Sequence, residues 1–256
     1  MANNKSWTKI FNDYNIIQHD FSKSAFELTA EQIKKSCKEF DKTSEREVRI
    51  LCKQDTREDR PKIFVDNNLF ILPKYNGVYY IAKGEGYVNI PDIGSPIKTY
   101  EKKLDFVLES SFVGDSEMQH LDFAYANSLI RTFIGDDSLV LTIRGRKYTP
   151  KFSFKVGDNM LEVDSVQTEV DAGFEGKDKI VLVEAKNKKA DNTIIRQLYY
   201  PYRQWKINTN KNVISVFFEK RIINGENIYY MWQFSFDKEE DYNSIHLVKS
   251  DRYRIV

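Results

Sequence analysis

The chain has 256 residues, of which 41% are apolar and 14% aromatic, enough for one large core or a main domain with a smaller one. Lysine and arginine number 39 against 38 aspartates and glutamates, so overall charge does not predict a nucleic-acid partner and any basic surface must be local. The 2 cysteines exclude a disulfide framework or a cysteine-based zinc site. No stretch resembles a signal peptide or a membrane span, so we expect a cytoplasmic protein with no membrane partner.

The first 90 residues contain helical patterns followed by a hairpin signal. Periodicity predicts α-helices over 29–40, 43–52 and 57–67. Two apolar runs then flank Asn76-Gly77, a dipeptide typical of a tight β-hairpin turn. Helices followed by a hairpin form the element order of a winged helix-turn-helix domain, so residues 1–90 are predicted to be a winged-helix-like DNA-recognition domain.

Basic residues in the third of these helices are candidates for DNA contacts. In a winged helix the third helix enters the major groove, which would turn Arg57, Arg60 and Lys62 towards DNA. The same element order occurs in many small α+β domains, and basic residues on a helix commonly form only a solvated face. The sequence leaves open whether this domain reads bases or contacts only the backbone.

A linker and a second domain are predicted to follow. Residues 91–116 contain prolines and a Gly-Ser pair, which favours a linker. A helical pattern over 117–133 is followed by several strand patterns, a helix over about 191–207 and further strands. Pro201 should kink or end that second helix, because proline removes a backbone hydrogen bond. Residues 117–256 are therefore predicted to form an α/β (α+β) domain, with a mixed central β-sheet flanked by helices.

The stretch 180–186, IVLVEAK, predicts a strand that is buried on both faces but ends in charge. Alternation places Glu184 and Lys186 on the same face, at the carboxyl end where ligand sites in α/β sheets commonly lie. A turn at Gly176 can bring Asp171 of the preceding strand beside Glu184. Buried charges are costly unless paired or metal-bound, and converging carboxylates suit Mg²⁺. A surface hairpin with cross-strand ion pairs is the alternative, but the apolar run gives it no polar solvent face.

The preceding strand carries a second acid. Strand alternation puts Glu169 and Asp171 on one face, and Val170 and Ala172 on the other. Lys186 beside the carboxylates can hold a phosphate oxygen, orient the attacking water or stabilise charge as the scissile bond breaks. These residue types favour metal-assisted hydrolysis of a phosphate ester.

The spacing of Asp171, twelve further residues and then Glu184-Ala185-Lys186 resembles the signature of the PD-(D/E)XK nuclease superfamily. Residues 169–203 are similar to type II restriction endonucleases, although Val170 stands where the motif's name has proline. The resemblance implies a restriction-endonuclease-like fold and Mg²⁺-dependent, sequence-specific hydrolysis of phosphodiester bonds in double-stranded DNA. It also implies that Asp171 and Glu184 are metal ligands and that Lys186 is the catalytic lysine.

The superfamily often uses residues outside this motif. An acid on the helix preceding the core sheet is common, and Glu117 is the candidate metal ligand, with Asp122 behind it. The alternative for Glu117 is a charge favoured by the dipole at a helix N-terminus. Glu169 is either a supplementary ligand or an acid that faces the groove. Gln197, on the helix after the motif, is expected to contact phosphate or to support the catalytic groups.

Two further groups of basic residues are candidates for DNA contacts. Arg144, Arg146 and Lys147 begin a basic strip suited to tracking phosphates, and its arginines suit bidentate guanine contacts. Arg196 and Arg203 lie on the expected polar side of the helix after the motif. A solvated hairpin and an ordinary amphipathic helix are the respective alternatives.

These patterns predict a type II site-specific deoxyribonuclease with Mg²⁺ as cofactor and double-stranded DNA as partner. A homodimer is a further expectation, because many such enzymes are dimers on palindromes, although the sequence shows no interface signature. Two other interpretations stay open. One is another nuclease of the superfamily, acting in repair or in a mobile element, and the other is a non-catalytic winged-helix DNA-binding regulator.

Overall fold

The computed structural model describes residues 3–256, which fold into helices packed around four β-sheets. The α-helices are α1 (Asn4–Asp13), α2 (Ala30–Ser36), α3 (Thr43–Arg46), α4 (Val48–Leu51), α5 (Lys62–Asp66), α6 (Glu117–Ala126), α7 (Leu129–Ile134) and α8 (Arg196–Asn208). The strands are β1 (Phe26–Thr29), β2 (Leu69–Tyr75), β3 (Val78–Lys83), β4 (Tyr87–Asn89), β5 (Lys98–Tyr100), β6 (Val140–Tyr148), β7 (Phe152–Val156), β8 (Asn159–Val163), β9 (Gln167–Glu175), β10 (Lys179–Lys186), β11 (Asn192–Ile194), β12 (Asn212–Ile223), β13 (Glu226–Phe236) and β14 (Ile245–Ile255). Short 3₁₀ helices lie at Ile16–Gln18, Arg57–Asp59, Glu109–Phe112 and Tyr242–Ser244. Among the helices of residues 3–256, none combines the length and the apolar composition that a membrane span requires.

A mixed seven-stranded sheet forms the centre of the protein, in the order β5-β14-β13-β12-β10-β9-β6. β9 and β10 are antiparallel, whereas β12 runs parallel to β10 after the chain crosses over through α8. Ile180 and Leu182 pack into one apolar cluster and Val181 and Val183 into another, so β10 is buried on both faces. The predicted α+β architecture, with a mixed central sheet and flanking helices, is confirmed.

The helices that cover this sheet leave one edge of it polar. α8 packs through Leu198 on one face, and α6 packs through Leu121 on the other. Parallel pairing sets Lys186 of β10 opposite Glu219 of β12. The charged carboxyl ends of these two strands therefore meet at the same edge of the sheet.

Residues 4–83 form a smaller unit, in which α1 to α5 accompany the three-stranded sheet β1-β3-β2. Its core contains Trp7, Phe11 and Phe64, whose rings meet edge to face. The predicted hairpin is confirmed, with Gly77 at φ +77° in the turn between β2 and β3. Helices and hairpin occur in the predicted order, but the helices are shorter.

The predicted continuous helix over 57–67 is wrong. The chain forms a 3₁₀ turn at Arg57–Asp59, is extended at Arg60 and then enters α5. Pro61 explains the interruption, because the residue before a proline is displaced from helical backbone angles. The second predicted helix is likewise split into α3 and α4, with an extended Glu47 between them.

Three further differences lie beyond the N-terminal unit. The predicted helix over 117–133 is broken between α6 and α7, where Ser128 has a φ of 63°. Pro201 does not end α8, which continues to Asn208 because its apolar side is buried against the sheet. Strands β5 and β14 were not predicted, and β5 lies within the predicted linker 91–116 and pairs with β14.

Candidate active site

Two compensating irregularities in the pairing of β6 with β9 shape the predicted site. Between Leu141 and Ile143, β6 has one residue more than its partner, and between Gly173 and Val170 the extra residue belongs to β9. A bulge of this kind bends the strand and changes the direction of a side chain. Asp171 lies inside the second bulge.

This bulge corrects the predicted faces of β9. Val170 packs into the same apolar cluster as Leu182, whereas Ala172 packs into the cluster that contains Val183. Since Leu182 and Val183 point to opposite faces of β10, Val170 and Ala172 also lie on opposite faces. The prediction that they share one face is wrong, because uninterrupted alternation does not hold across a bulge.

Asp171 reaches the end of β10 where its pairing with β9 stops. The paired register runs as far as Ala172 opposite Val183. Beyond this pair, the Asp171 Oδ2 accepts a hydrogen bond of 2.7 Å from the backbone N–H of Ala185. The carboxylate therefore takes the place of a peptide carbonyl in the ladder and is held beside Glu184.

Lys186 pairs with Glu184 at this strand end. The Lys186 Nζ lies 2.5 Å from the Glu184 Oε1 and donates a second hydrogen bond of 3.0 Å to the Ala185 carbonyl. The Glu184 side chain is only 11% exposed and the Lys186 side chain 25%. The structure thus brings together the three charged residues of the motif, Asp171, Glu184 and Lys186.

Burial governs the protonation of these groups. It raises the pKa of Glu184 to about 7, the charge of Lys186 opposes this increase, and the charge of Asp171 adds to it. Burial also raises the pKa of Asp171. Burial acts to lower the pKa of Lys186, but the pKa ends above its ordinary value because Glu184 and Glu117 raise it more. A bound cation would favour the ionised form of both carboxylates.

A cleft of about 970 Å³ opens over these residues. Glu117, at the start of α6, lines it together with Glu169 and Gln197. The Gln197 Oε1 accepts a hydrogen bond of 2.7 Å from the Thr193 hydroxyl, which orients the amide. All six residues predicted for catalysis or metal binding therefore border one cleft: Glu117, Glu169 and Gln197 together with Asp171, Glu184 and Lys186.

The N-terminal unit forms part of the wall of the same cleft, which the sequence did not indicate. Its contribution consists of Lys53, Asp55, Thr56, Glu58 and Asp59. The Ile194 N–H donates to the Asp55 carbonyl at 2.8 Å, and the Arg57 N–H donates to the Asn192 Oδ1 at 2.7 Å. The Asp55 charge also contributes to raising the pKa of Glu184. The cleft is therefore built from both parts of the chain.

The carboxylates suit Mg²⁺ without forming a complete protein cage. Within residues 3–256, no three His, Cys, Asp or Glu side chains converge closely enough to bind one metal ion together. Mg²⁺ usually keeps several waters and is held by one or two carboxylates plus substrate phosphates, a set that Asp171 and Glu184 can begin. Glu117 faces the cleft but does not complete a three-residue set.

The basic residues predicted to contact DNA from the N-terminal unit are engaged within the protein. Arg57 donates to a side-chain oxygen of β4 at 2.7 Å and to a carbonyl of β4 at 3.2 Å. Arg60 lies over the Tyr87 ring, 5.0 Å from its centroid. Lys62 is exposed and pairs with Asp66 along α5 at 2.7 Å. Arg57 and Arg60 thus hold the N-terminal unit against β4.

The basic strip on β6 is partly neutralised. Arg144 forms an ion pair with Asp122 of α6, and the Arg146 Nε lies 3.4 Å from the Glu169 carboxylate. Lys147 is exposed. This strip therefore lies next to the cleft, but its two arginines face acids of the same chain.

The two arginines of α8 have different surroundings. Arg196 lines the cleft, 3.5 Å from the Asp55 carboxylate. Arg203 is only 6% exposed, and its guanidinium donates to the Tyr199 hydroxyl and to the Ser153 carbonyl. The predicted position of Arg203 on an open polar side of the helix is wrong, because Phe152 and Ser153 of β7 cover that side.

Sequence reasoning missed a further acid at the polar edge of the sheet, on β12. Glu219 is fully buried opposite Lys186, its Oε1 accepts from the Ala190 N–H at 2.9 Å, and its Oε2 accepts from Arg221 at 2.6 Å. A signal was present, because VISVFFEK is, like IVLVEAK, an apolar run that ends in glutamate with lysine close by. Glu219 fixes the turn that follows β10.

Family models cover almost the whole chain. The chain belongs to the family described as a domain of unknown function, DUF6997, whose model matches residues 82–254. A second model with the same description, DUF6996, matches residues 4–81. No curated protein and no solved structure matches the chain. The junction between the two matched segments falls within β3.

Proposed function

We propose that this protein is a Mg²⁺-dependent endonuclease of the PD-(D/E)XK type, which hydrolyses phosphodiester bonds of double-stranded DNA as a type II restriction enzyme. The observation that carries this proposal is the convergence of Asp171, Glu184 and Lys186 at the end of β10, inside one cleft. An ion pair that served stability alone would gain little from a buried third charge, since each buried ion loses its hydration.

The surrounding architecture supports the proposal. β10 and β12 run parallel and end at the same edge, which is where ligand sites in sheets with helices on both faces usually lie. α6 precedes strands β6, β9 and β10 and brings Glu117 to the cleft, as the resemblance to the superfamily implies. The hairpin β2–β3 after the first helices favours a winged-helix-like role for the N-terminal unit, but its internal contacts remove Arg57 and Arg60 from the proposed DNA contacts.

Each residue of the cleft has a separate task in this proposal. Asp171 and Glu184 would hold Mg²⁺, which when bound supplies Lewis-acid activation of the phosphate. The Lys186 ammonium is placed to stabilise the negative charge that develops as water attacks phosphorus in line and the 3′-oxygen leaves. Gln197, oriented by Thr193, can donate an amide hydrogen bond to a phosphate oxygen.

A plasmid digest tests the proposal. The purified protein with Mg²⁺ should convert sequenced plasmid DNA into discrete fragments with uniform ends, and Asp171→Asn should not cut. The control variant is Glu226→Gln, which alters an exposed acid paired with Arg254 away from the cleft and should cut normally.

The pattern of products separates the alternatives. Smeared or structure-dependent products would replace the restriction role by that of another nuclease. Intact plasmid together with measurable DNA binding would favour a non-catalytic regulator. If Asp171→Asn cut at the wild-type rate, the site itself would be wrongly assigned.

A further inference from the structure

β12 carries a buried lysine that the proposed chemistry does not use. Lys220 is only 4% exposed, and its Nζ lies 2.9 Å from the Asp115 Oδ1, on the loop before α6. The His120 Nε2 of α6 lies 2.6 Å from the same oxygen, and His120 is also buried. One carboxylate oxygen thus joins β12 to α6 and to the loop between β5 and α6.

Asp115 is also connected to both sides of the candidate active site. Its carbonyl accepts a hydrogen bond of 2.6 Å from the Asn187 amide, and Asn187 directly follows Lys186. Ser116 next to it is the N-cap of α6, and the adjacent Glu117 faces the cleft. A displacement of Asp115 would therefore move Glu117 and the end of β10 together.

A gain in stability is not the expected reason for burying Lys220. Moving an ammonium out of water is costly, and apolar side chains of similar volume often replace buried ion pairs without loss of stability. The Asp115 side chain is 70% exposed, so solvent screens it and weakens its attraction for the lysine. The contact between Lys220 and Asp115 instead fixes the position of the loop that carries Asp115.

We propose that Lys220 is a positioning residue, which holds Asp115 and through it sets Glu117 and the end of β10 in the geometry that a divalent cation requires. This inference rests on the proposed function of the cleft. Groups that orient metal ligands without touching the metal typically change metal affinity about 10–100-fold when they are replaced. The same order of effect is expected for Lys220.

Lys220→Met tests this role with Mn²⁺ as the probe, because Mn²⁺ binding can be measured by calorimetry without DNA or catalysis. The variant should keep the wild-type melting temperature, since Asp115 is solvated when the lysine is absent, and should bind Mn²⁺ about tenfold more weakly. Asn187→Ala removes the hydrogen bond to the Asp115 carbonyl and should also weaken Mn²⁺ binding. Lys211→Met is the matched control, because Lys211 pairs with Glu175 at the opposite end of β10 and should leave Mn²⁺ affinity unchanged.

The outcomes separate this inference from the proposed function. Wild-type Mn²⁺ affinity in both Lys220→Met and Asn187→Ala would overturn the positioning role and leave the proposed function standing. A Lys220→Met variant that fails to fold would show that the lysine acts in stability, which also overturns the inference. A wild-type protein that neither binds Mn²⁺ nor cuts DNA would overturn the proposed function, and the positioning role with it.

Discussion

Glu184→Gln should make the metal-free protein more stable above neutral pH while it abolishes cleavage. The ordinary pKa of a glutamate is 4.5, whereas burial raises the pKa of Glu184 to about 7. Between these two values the unfolded chain releases a proton that the folded protein keeps, so stability falls as the pH rises. The resulting loss in the free energy of unfolding is absent below pH 4.5 and complete above pH 7, where it amounts to about 3 kcal/mol. Glutamine carries no charge and can still accept the hydrogen bond from Lys186.

Urea unfolding of wild type and Glu184→Gln in the presence of a chelator measures this difference. The two proteins should be about equally stable near pH 4.5, and the variant should be more stable by about 3 kcal/mol near pH 8. Mg²⁺ should then stabilise the wild type but not the variant, because a ligand stabilises only the folded state that binds it. Equal stability at both pH values would refute the reasoning, since it would mean that Glu184 ionises as easily in the folded protein as in the unfolded chain.

Three other substitutions test separate parts of the structure. Lys186→Ala should lower the rate of plasmid cleavage by about 10²–10³-fold with DNA binding retained in a gel-shift assay, and wild-type cleavage would contradict its role. Gly173→Ala places a Cβ 2.6 Å from the Ile143 Cβ and should destabilise the protein by about 1–3 kcal/mol, as measured by urea unfolding. An unchanged unfolding midpoint would mean that β6 shifts to make room without a cost in free energy. Arg57→Ala should lower the melting temperature because it removes contacts to β4, and a loss of DNA affinity at unchanged stability would instead restore Arg57 as a DNA contact.

The central part of the candidate site was predictable because its residues are close in sequence. Asp171, Glu184 and Lys186 lie on two strands joined by a turn, so the position of the turn is enough to bring Asp171 close to the other two residues. Alternation placed Glu184 and Lys186 on one face of β10, but it did not predict the bulge that directs Asp171. Helical periodicity placed Glu117 and Gln197 on the helices before and after those strands. The order of helices and strands was likewise enough to predict a mixed sheet.

The remaining features depend on contacts between distant segments, which local patterns do not encode. Asp55 enters the wall of the cleft only because its segment bonds to β11. Arg203 has the spacing of an exposed helical residue, yet it is buried because the Ser153 carbonyl and its neighbours cover it. Charge counting found the basic residues, but it does not show that Arg144 and Arg146 face acids from other strands and helices.

The paired bulges of β6 and β9 have a consequence for exchanging segments between related proteins. The extra residue before Ile143 in β6 offsets the extra residue after Val170 in β9, so the two strands are aligned again on both sides. Deleting one residue from either strand alone would shift residues 144–147 by one position and turn them to the opposite face. A matched deletion in both strands would restore the alignment but remove the irregularity that directs Asp171. A functional chimera must therefore inherit β6 and β9 from the same parent.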